Sequence, residues 1–324
     1  MPYDLDFERP VAELERRIQT LQRRGERMRP DDRAQVATLE REVQRQTREL
    51  YRSLSPWQRV QVARHRHRPQ TSDYIRLMCD DFFELHGDRR FGDDRSIMGG
   101  IASLDGRAIM LIGHQKGHDI KERQECNFGM PHPEGYRKAL RLMTHAERFH
   151  MPVVTFIDTQ GAFLGLEDEQ RGQSQAIAEN LLVMARLRTP IVATVIGEGG
   201  SGGALAIGVA DSLLMLENTF YSVAAPEAAA TILWRDASFA PDAAAAMKIG
   251  APDLRDMGLC DALVPEPVGG AHRDHEMAAA HLKAALNEHL DELTRVPTAI
   301  LLDRRYAKFR NIGVYARPVP ATVD

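Results

Sequence analysis

The stretch of sequence that decides the fold reads Gly197-Glu198-Gly199-Gly200-Ser201-Gly202-Gly203-Ala204-Leu205-Ala206-Ile207-Gly208. A β-branched run at 191–196 precedes it and predicts a buried strand. The small apolar residues at its end predict a short buried helix. Because glycine has no side chain, the backbone N–H groups at such a junction can approach an anion closely. The stretch therefore predicts an anion-binding turn between a strand and a helix, and it leaves the anion unidentified.

Three functional patterns fit this stretch, and spacing alone does not decide among them. Gly197, Gly199 and Gly202 match the dinucleotide-binding fingerprint, and Glu217 follows at the distance expected of a ribose contact. Against this pattern, only about ten residues separate Gly203 from the next predicted strand, which is short for a Rossmann crossover.

The second pattern is a nucleophile elbow, Gly199-x-Ser201-x-Gly203, with Glu227 and His272 downstream as candidate acid and base. No second oxyanion motif of the His-Gly-Gly-Gly type accompanies it. The third pattern is an oxyanion hole made by glycine amides, which stabilises charge developing on a carbonyl-type oxygen and needs no nucleophile. A glycine-rich turn that only lets a helix pack closely on a sheet is the non-functional alternative.

The composition limits the classes of protein that this chain can belong to. Its 324 residues allow one large domain or two, and a net charge of −4 makes a nucleic-acid partner unlikely overall. The first 70 residues are rich in arginine, which is typical of a solvated helical surface or of an RNA- or partner-binding face. No apolar run is long enough for a membrane span, and no signal-peptide pattern is present. Three widely spaced cysteines predict neither a disulfide framework nor a metal site, and favour a cytoplasmic location.

Hydrophobic spacing predicts the order of helices and strands. Residues 7–52 are charged with a narrow apolar stripe broken at 29–32, which predicts a helical hairpin that packs on the rest of the chain or on another subunit. Beyond it, the pattern predicts helices at 73–86, 135–149, 174–187, 226–234, 241–257 and 274–294. Strands are predicted at 98–104, 108–113, 152–157, 191–196, 213–216 and 220–223, with an Asp105-Gly106 hairpin turn. This alternation predicts an α/β fold with parallel strands, divided into a hairpin segment (1–70), a main domain (71–295) and a C-terminal tail (296–324).

Seven segments, in order along nearly the whole chain, carry a family resemblance. They include Gly113-His114-Gln115-Lys116-Gly117 and Asn127-Phe128-Gly129-Met130-Pro131, and they lie at 7–15, 113–117, 127–131, 133–143, 171–174, 197–208 and 265–273. In this combination the chain resembles the alpha-subunit family of bacterial acetyl-CoA carboxylase carboxyltransferases. The last 25 residues or so lie outside the resemblance.

The resemblance implies a crotonase-like (ClpP/crotonase) ββα superhelix with an N-terminal helical hairpin. It also implies carboxyl transfer from carboxybiotin to acetyl-CoA, which gives malonyl-CoA for fatty acid synthesis. Biotin would be the cofactor, carried by a separate biotin carboxyl carrier protein and carboxylated by an ATP-dependent biotin carboxylase. A homologous beta subunit with a zinc ribbon would complete an alpha2beta2 assembly, and the alpha chain would be active only within it.

The same resemblance assigns residues of this chain to the site. The family places the donors for the ureido oxygen of biotin at Gly202 and Gly203. The candidate substrate-binding residues are Gly161, Ala162, Phe163, Ser201, Lys116 and Arg137. Of these, Lys116 and Arg137, with Lys138, are candidates for the phosphates of CoA. The four-residue spacing of His114 and His118 is also that of metal ligands on a helix, but Gly117 favours a loop there.

The sequence departs from the family pattern close to the predicted site. The family reads Asp-Thr-Pro-Gly-Ala-Tyr-Pro-Gly where this chain has Gln160 and Leu164 at the two proline positions, and Ala228 replaces a glycine. Losing a proline frees φ and restores a backbone N–H. These changes leave Gly202 and Gly203 intact but predict an altered pocket. Transfer to another acyl-CoA, and a non-catalytic scaffold or regulatory paralogue, therefore stay as alternatives.

Overall fold

The structure is a computed structural model that describes residues 5–25 and 28–313. Its helices are α1 (Arg9–Gln22), α2 (Pro30–Arg52), α3 (Pro56–Ala63), α4 (Thr71–Met78), α5 (Ile120–Glu125), α6 (Pro133–Arg148), α7 (Leu166–Gln170), α8 (Gln173–Arg186), α9 (Ser201–Leu205), α10 (Pro226–Trp234), α11 (Ala240–Met247), α12 (Ala251–Asp256), α13 (His275–Thr294) and α14 (Thr298–Arg310). Its strands are β1 (Asp81–Glu84), β2 (Ile97–Leu104), β3 (Arg107–His114), β4 (Val153–Thr159), β5 (Ile191–Gly200), β6 (Ser212–Leu216), β7 (Phe220–Ser222) and β8 (Ala262–Val264). None of the described helices is long and apolar enough to cross a membrane.

One mixed sheet organises the chain in the order β1-β2-β3-β4-β5-β6-β8, and β7 pairs with the end of β5. β1, β2 and β3 are antiparallel, and every pairing from β3 onward is parallel. The predicted hairpin turn is confirmed, because Asp105 and Gly106 both have positive φ, as a two-residue turn of this kind requires. β4 and β5 are buried along their whole length. Such strands need cover on both faces.

Helices supply that cover from two sides and form two apolar cores. On one face, α6 and α8 pack on the sheet through residues such as Leu142 and Met184. On the other face, α4 and α13 pack through residues such as Tyr74 and Leu286. The α1–α2 hairpin predicted from the sequence is confirmed, and Val11 and Val43 belong to a small apolar core of its own.

Two predicted helices are wrong in part. The helix predicted at 73–86 ends at Met78, and Asp81–Glu84 forms β1 instead. An antiparallel partner strand, β2, decides this, since it pairs Phe82 with Ala102. The helix predicted at 241–257 is interrupted at Lys248, which is left-handed with φ 49° and separates α11 from α12.

The glycine stretch also differs from its prediction. β5 does not end at residue 196 but continues through Gly200. Pairing holds the extension in place, since Gly199 lies opposite Thr159 of β4 on one side and Tyr221 of β7 on the other. Glycine has a low strand propensity, so tertiary contacts rather than local preference make this segment a strand.

α3 and α14 pack against the part of the chain that contains the sheet. α3 packs through Val60 and Ala63 against Phe220. The segment predicted as a C-terminal tail contains α14, whose Arg305 is buried and ion-paired with Asp211 at 2.6 Å. Residues 314–324 lie outside the described residues, and the division into 1–70, 71–295 and 296–324 stays a prediction.

Candidate functional site

Three consecutive strands of the sheet end at one edge and bring three segments of the chain together. The end of β3 leads into 115–118, the end of β4 into 160–165, and the end of β5 into α9. Parallel neighbours place the carboxyl ends of their strands side by side, which is where α/β proteins bind ligands. The loop after β4 and the glycine stretch of β5 therefore form two facing walls.

The two walls touch backbone to backbone, and glycine is what permits the contact. A Cβ on Gly203 would lie 2.4 Å from the Ala162 nitrogen, and one on Gly200 would lie 2.1 Å from the Gln160 carbonyl oxygen. Gly202 differs, because a Cβ there would meet only the Ile177 side chain, at 3.8 Å. The glycines at 200 and 203 thus set the spacing of the walls, whereas Gly202 has room for a methyl group in ordinary contact with Ile177.

Backbone N–H groups without acceptors lie near this contact. The first N–H groups of a helix have no acceptor inside it, and Gly202 and Gly203 occupy these positions in α9. In the facing loop, Thr159 Oγ1 accepts the Gly161 N–H at 3.0 Å and the Pro131 carbonyl accepts the Phe163 N–H at 3.1 Å.

That leaves the N–H of Ala162 between them. Within the described part of the chain, the structure gives no acceptor to the N–H groups of Ala162, Gly202 and Gly203. Three unpaired donors from two segments therefore lie at one place. Such an arrangement can hold a negatively charged oxygen.

A chain of ion pairs lies beside these donors. Lys116 Nζ is 2.7 Å from Asp158 Oδ1 and 2.8 Å from Glu198 Oε1. Arg64 Nε lies 2.7 Å from Glu198 Oε2, and its Nη1 lies 2.6 Å from Glu227 Oε1. Asp158 Oδ1 also accepts the N–H of Glu198 at 3.0 Å. These ion pairs connect both walls to the segment that follows α3.

These ion pairs favour the charged forms of Glu198 and Lys116. Burial alone would raise the pKa of Glu198, but Lys116 and Arg64 lower it to about 2. Burial would lower the pKa of Lys116, but Asp158 and Glu198 raise it above its ordinary value. Glu198 is therefore an acceptor for two fixed cations and a poor base at neutral pH.

The ion pairs line a cavity of about 510 Å³, with Gln160 and Ala228, two of the positions that depart from the family pattern, also in its wall. Behind it, His114 is fully buried, and its Nδ1 accepts the Asp158 N–H at 3.4 Å. Burial lowers the pKa of His114 to about 3, with Lys116 adding to the effect, so the ring is neutral.

Most of the predicted site residues lie at the facing walls or in the cavity beside them. Gly161, Ala162, Ser201, Gly202 and Gly203 lie at the facing walls, and Lys116 lies in the adjacent cavity. The ring of Phe163 packs edge-on against His132 at 5.1 Å.

Arg137 is not brought to the walls or to this cavity. It donates to Glu134 at 3.4 Å and to the Arg171 carbonyl, and it lines a different cavity. Lys138 is buried against Asp93 at 2.6 Å. Contact of Lys116 or Arg137 with CoA phosphates stays a prediction.

The sequence-based reasoning missed Arg64, Asp158 and Glu198. Glu198 carried a signal, because it is the one charged residue inside the glycine stretch. Arg64 and Arg68 belong to the arginine-rich segment predicted as a solvated or partner-binding face. For Arg68 that prediction is wrong, since its side chain is 3% exposed and pairs with Glu266 at 2.5 Å.

The two competing motif interpretations fail on geometry. Ser201 does sit between a strand and a helix with φ 51°, as an elbow would require. However, Glu227 pairs with Arg64, and His272 is 1% exposed and stacked on His65 at 3.8 Å.

A dinucleotide-binding turn is excluded because Gly197, Gly199 and Gly200 lie inside β5 and the following helix has only five residues. Metal ligation by His114 and His118 gains no support, since the described residues hold no group of His, Cys, Asp and Glu that could bind a metal ion.

Comparisons with known proteins agree with the fold and cover almost the whole chain. The family model described as "Acetyl co-enzyme A carboxylase carboxyltransferase-like" matches residues 4–313. The chain is 53% identical over 315 residues to the acetyl-coenzyme A carboxylase carboxyl transferase subunit alpha of Heliobacterium modesticaldum, covering 97% of this chain and 94% of that protein. It is 54% identical over 314 residues to the same subunit of Methylococcus capsulatus, covering 97% and 98%.

Solved structures share the fold at low identity. A Pseudomonas malonate decarboxylase heterotetramer in complex with coenzyme A has a TM-score of 0.58 at 19% identity, covering 74% of this chain and 95% of that one. Transcarboxylase 12S has a TM-score of 0.53 at 18% identity, covering 67% of this chain and 42% of that one. These likenesses confirm the crotonase-like α/β class and say nothing about substrate.

Proposed function

The chain belongs to the acetyl-CoA carboxylase carboxyltransferase family as an alpha subunit, and from this premise we propose that its unpaired amides bind the ureido oxygen of carboxybiotin during carboxyl transfer. Biotin would be covalently held by a separate carrier protein. The observation that carries the proposal is that the N–H groups of Ala162, Gly202 and Gly203, on two segments in backbone contact, have no acceptor among the described residues.

Carboxybiotin, when bound, supplies the carboxyl group and is left with negative charge on its ureido oxygen. The three N–H groups are neutral donors held by the backbone, so they stabilise that charge without reorganising. Removing one such donor typically costs about 100- to 1,000-fold in turnover. The proposal needs no side chain of this chain to act as a base, which fits the lowered pKa of Glu198.

The proposal includes a second subunit, because the family resemblance assigns the donors of this chain to one of the two oxygens that become negatively charged. A beta subunit would supply the donors for the thioester oxygen of acetyl-CoA, and its zinc ribbon would hold the metal that this chain is not expected to bind. Exposed apolar side chains on α10 support a subunit contact here, with Ile232 at 76% and Leu233 at 63% exposure. Glu227 and Ala228 of the same helix line the cavity beside the site.

The proposed assembly is alpha2beta2, served in the cytoplasm by the biotin carboxyl carrier protein and biotin carboxylase. Its proposed product is malonyl-CoA. Gln160 and Ala228 lie in the cavity wall and Leu164 is 86% exposed, so the departures at 160 and 228 are the ones placed to affect the acceptor.

The test is reconstitution with the cognate beta subunit. The co-purified complex is given carboxybiotin and acetyl-, propionyl- or a longer acyl-CoA, and the carboxylated product is measured. We expect malonyl-CoA from the complex and none from either subunit alone. An intact complex that carboxylates none of these acceptors would identify a scaffold instead of an enzyme.

A further inference from the structure

A basic cavity lies away from the glycine stretch, between α6 and the loop that joins β1 to β2. Its volume is about 310 Å³, and it shares no lining residue with the cavity beside Lys116. Four arginines line it, namely Arg89 and Arg90 from the loop and Arg137 and Arg141 from α6. Asp88 is the one carboxylate among the lining residues.

Hydrogen bonds from Asp88 fix the backbone of the loop that carries Arg89 and Arg90. Asp88 is 4% exposed, and its Oδ1 accepts the N–H groups of Arg90, Phe91 and Gly92 at 2.9, 2.8 and 3.0 Å. Its own N–H donates to the Gly92 carbonyl at 2.9 Å. Arg89 is left-handed with φ 64°, a strained conformation that is concentrated at functional sites. The backbone at Arg89 and Arg90 is therefore held in one conformation.

The positive charge in this cavity is poorly compensated. Arg89 donates to the His86 carbonyl at 3.1 Å, and Arg141 donates to the carbonyls of Gly87 and His86 at 3.0 and 3.1 Å. These acceptors are neutral. The Arg90 side chain has no hydrogen bond or ion pair within the described ranges. Of the four guanidinium groups, only that of Arg137 contacts a carboxylate, Glu134 at 3.4 Å.

Two carboxylates lie near the arginines. Asp88 Oδ1 accepts three N–H groups, its Oδ2 is buried without a hydrogen-bond partner among the described residues, and Asp93 pairs with Lys138 at 2.6 Å and His86 at 3.0 Å. Burial and the charge of Arg89 still lower the pKa of Arg141, although Asp93 and Asp88 act in the opposite direction. Burial and the charges of Arg141, Arg148 and Arg89 lower the pKa of His145. An anion in the cavity would relieve this repulsion.

We propose that this cavity binds the phosphate groups of a ligand that carries a di- or polyphosphate. Guanidinium groups match the oxygens of phosphate in bidentate geometry, and several arginines on rigid elements are the usual form of such a site. The volume suits a small molecule. Two ligands share this chemistry. One is the CoA substrate, and this choice rests on the proposed function. The other is a free nucleotide.

The first test uses inorganic pyrophosphate as the probe and the full chain, by calorimetric titration at low and moderate salt. The variant combines Arg89→Asn with Arg90→Gln, since asparagine tolerates the left-handed conformation and Arg90 has no partner to lose. We expect the variant to bind at least about tenfold more weakly, because each lost charged hydrogen bond contributes about that factor. Arg186→Gln combined with Arg188→Gln removes the same two charges at exposed positions at the end of α8 and just after it, and should leave binding unchanged.

Equal affinity of wild type and the double variant, with both melting at the same temperature, would overturn the proposal. So would the absence of saturable pyrophosphate binding to the wild-type chain. These readouts need no beta subunit and no turnover, so a failure of the proposed function would not imitate a failure here.

The second test distinguishes the two ligands. If the site holds the phosphates of CoA, the complex with the double variant has a raised KM for acetyl-CoA and an unchanged kcat, and CoA displaces pyrophosphate better than ADP does. If the site holds a free nucleotide, ADP displaces pyrophosphate and the KM for acetyl-CoA does not change.

Discussion

Replacing Gly203 with alanine tests the proposed donor arrangement most directly. The new methyl group would lie 2.4 Å from the Ala162 nitrogen and 2.5 Å from the Gly161 carbonyl carbon. An ordinary contact begins at 3.4 Å, so the facing loop must retreat by about 1 Å. A misplacement of about 1 Å at a reacting centre can cost about 100-fold in rate. The expected loss of transition-state stabilisation is therefore about 3 kcal/mol.

The assay measures kcat and KM of the alpha–beta complex with carboxybiotin and acetyl-CoA. Gly202→Ala is the matched comparison, because the same methyl group meets only Ile177, at 3.8 Å, and the N–H is kept. We expect about a 100-fold fall in kcat for Gly203→Ala and a much smaller fall for Gly202→Ala. Complex assembly, followed by gel filtration, should be unchanged in both.

Wild-type turnover in Gly203→Ala would refute the reasoning, since the backbone contact would then have no role in catalysis. A greater loss in Gly202→Ala than in Gly203→Ala would also refute it. That result would mean that the space between Gly202 and Ile177, rather than the spacing of the two walls, limits the reaction.

Three further predictions concern charges. Arg305→Ala should lower the free energy of unfolding by about 3–5 kcal/mol in urea, because it leaves the buried carboxylate of Asp211 without its cation; a loss within error would show that water replaces the guanidinium. Arg64→Gln should destabilise the chain by about 1–3 kcal/mol, and more than Arg59→Gln, which loses only hydrogen bonds to a carbonyl and an amide; equal effects would contradict a role for the ion-pair chain. The pKa of His114 falls from 6.5 to about 3 on folding, so the stability present above pH 6.5 should be lost progressively as the pH falls toward 3; His114→Gln should flatten that dependence in urea titrations, and an unchanged slope would count against it.

Regular elements with strong periodicity could be predicted from the sequence. The helices α6, α8 and α13 and the strands β4 and β6 lie within one or two residues of their predictions, because apolar spacing and β-branched runs report burial directly. β1 could not be predicted, since its four residues become a strand only through pairing with β2. Local pattern does not report a partner that lies elsewhere in the chain.

The site was predicted unevenly for a similar reason. The family resemblance singled out Gly202 and Gly203, and the glycine content explained why backbone could approach there. It did not indicate that Gly161 and Phe163 already have acceptors, which leaves Ala162 as the loop donor. That selection depends on Thr159 and Pro131, and no spacing rule encodes it.

The packing of α3 and the residues after it against the sheet affects how the chain folds during synthesis. Arg64 bonds a residue 134 positions later and Arg68 one 198 positions later. At a synthesis rate of 5–20 residues per second, Arg68 waits about 10–40 s on the ribosome before its partner Glu266 is translated. Arg64 gains its partner Glu198 earlier, but Arg68 cannot form its buried ion pair until Glu266 has been translated. A nascent chain that stops short of Glu266 therefore cannot complete the docking of the segment that follows α3.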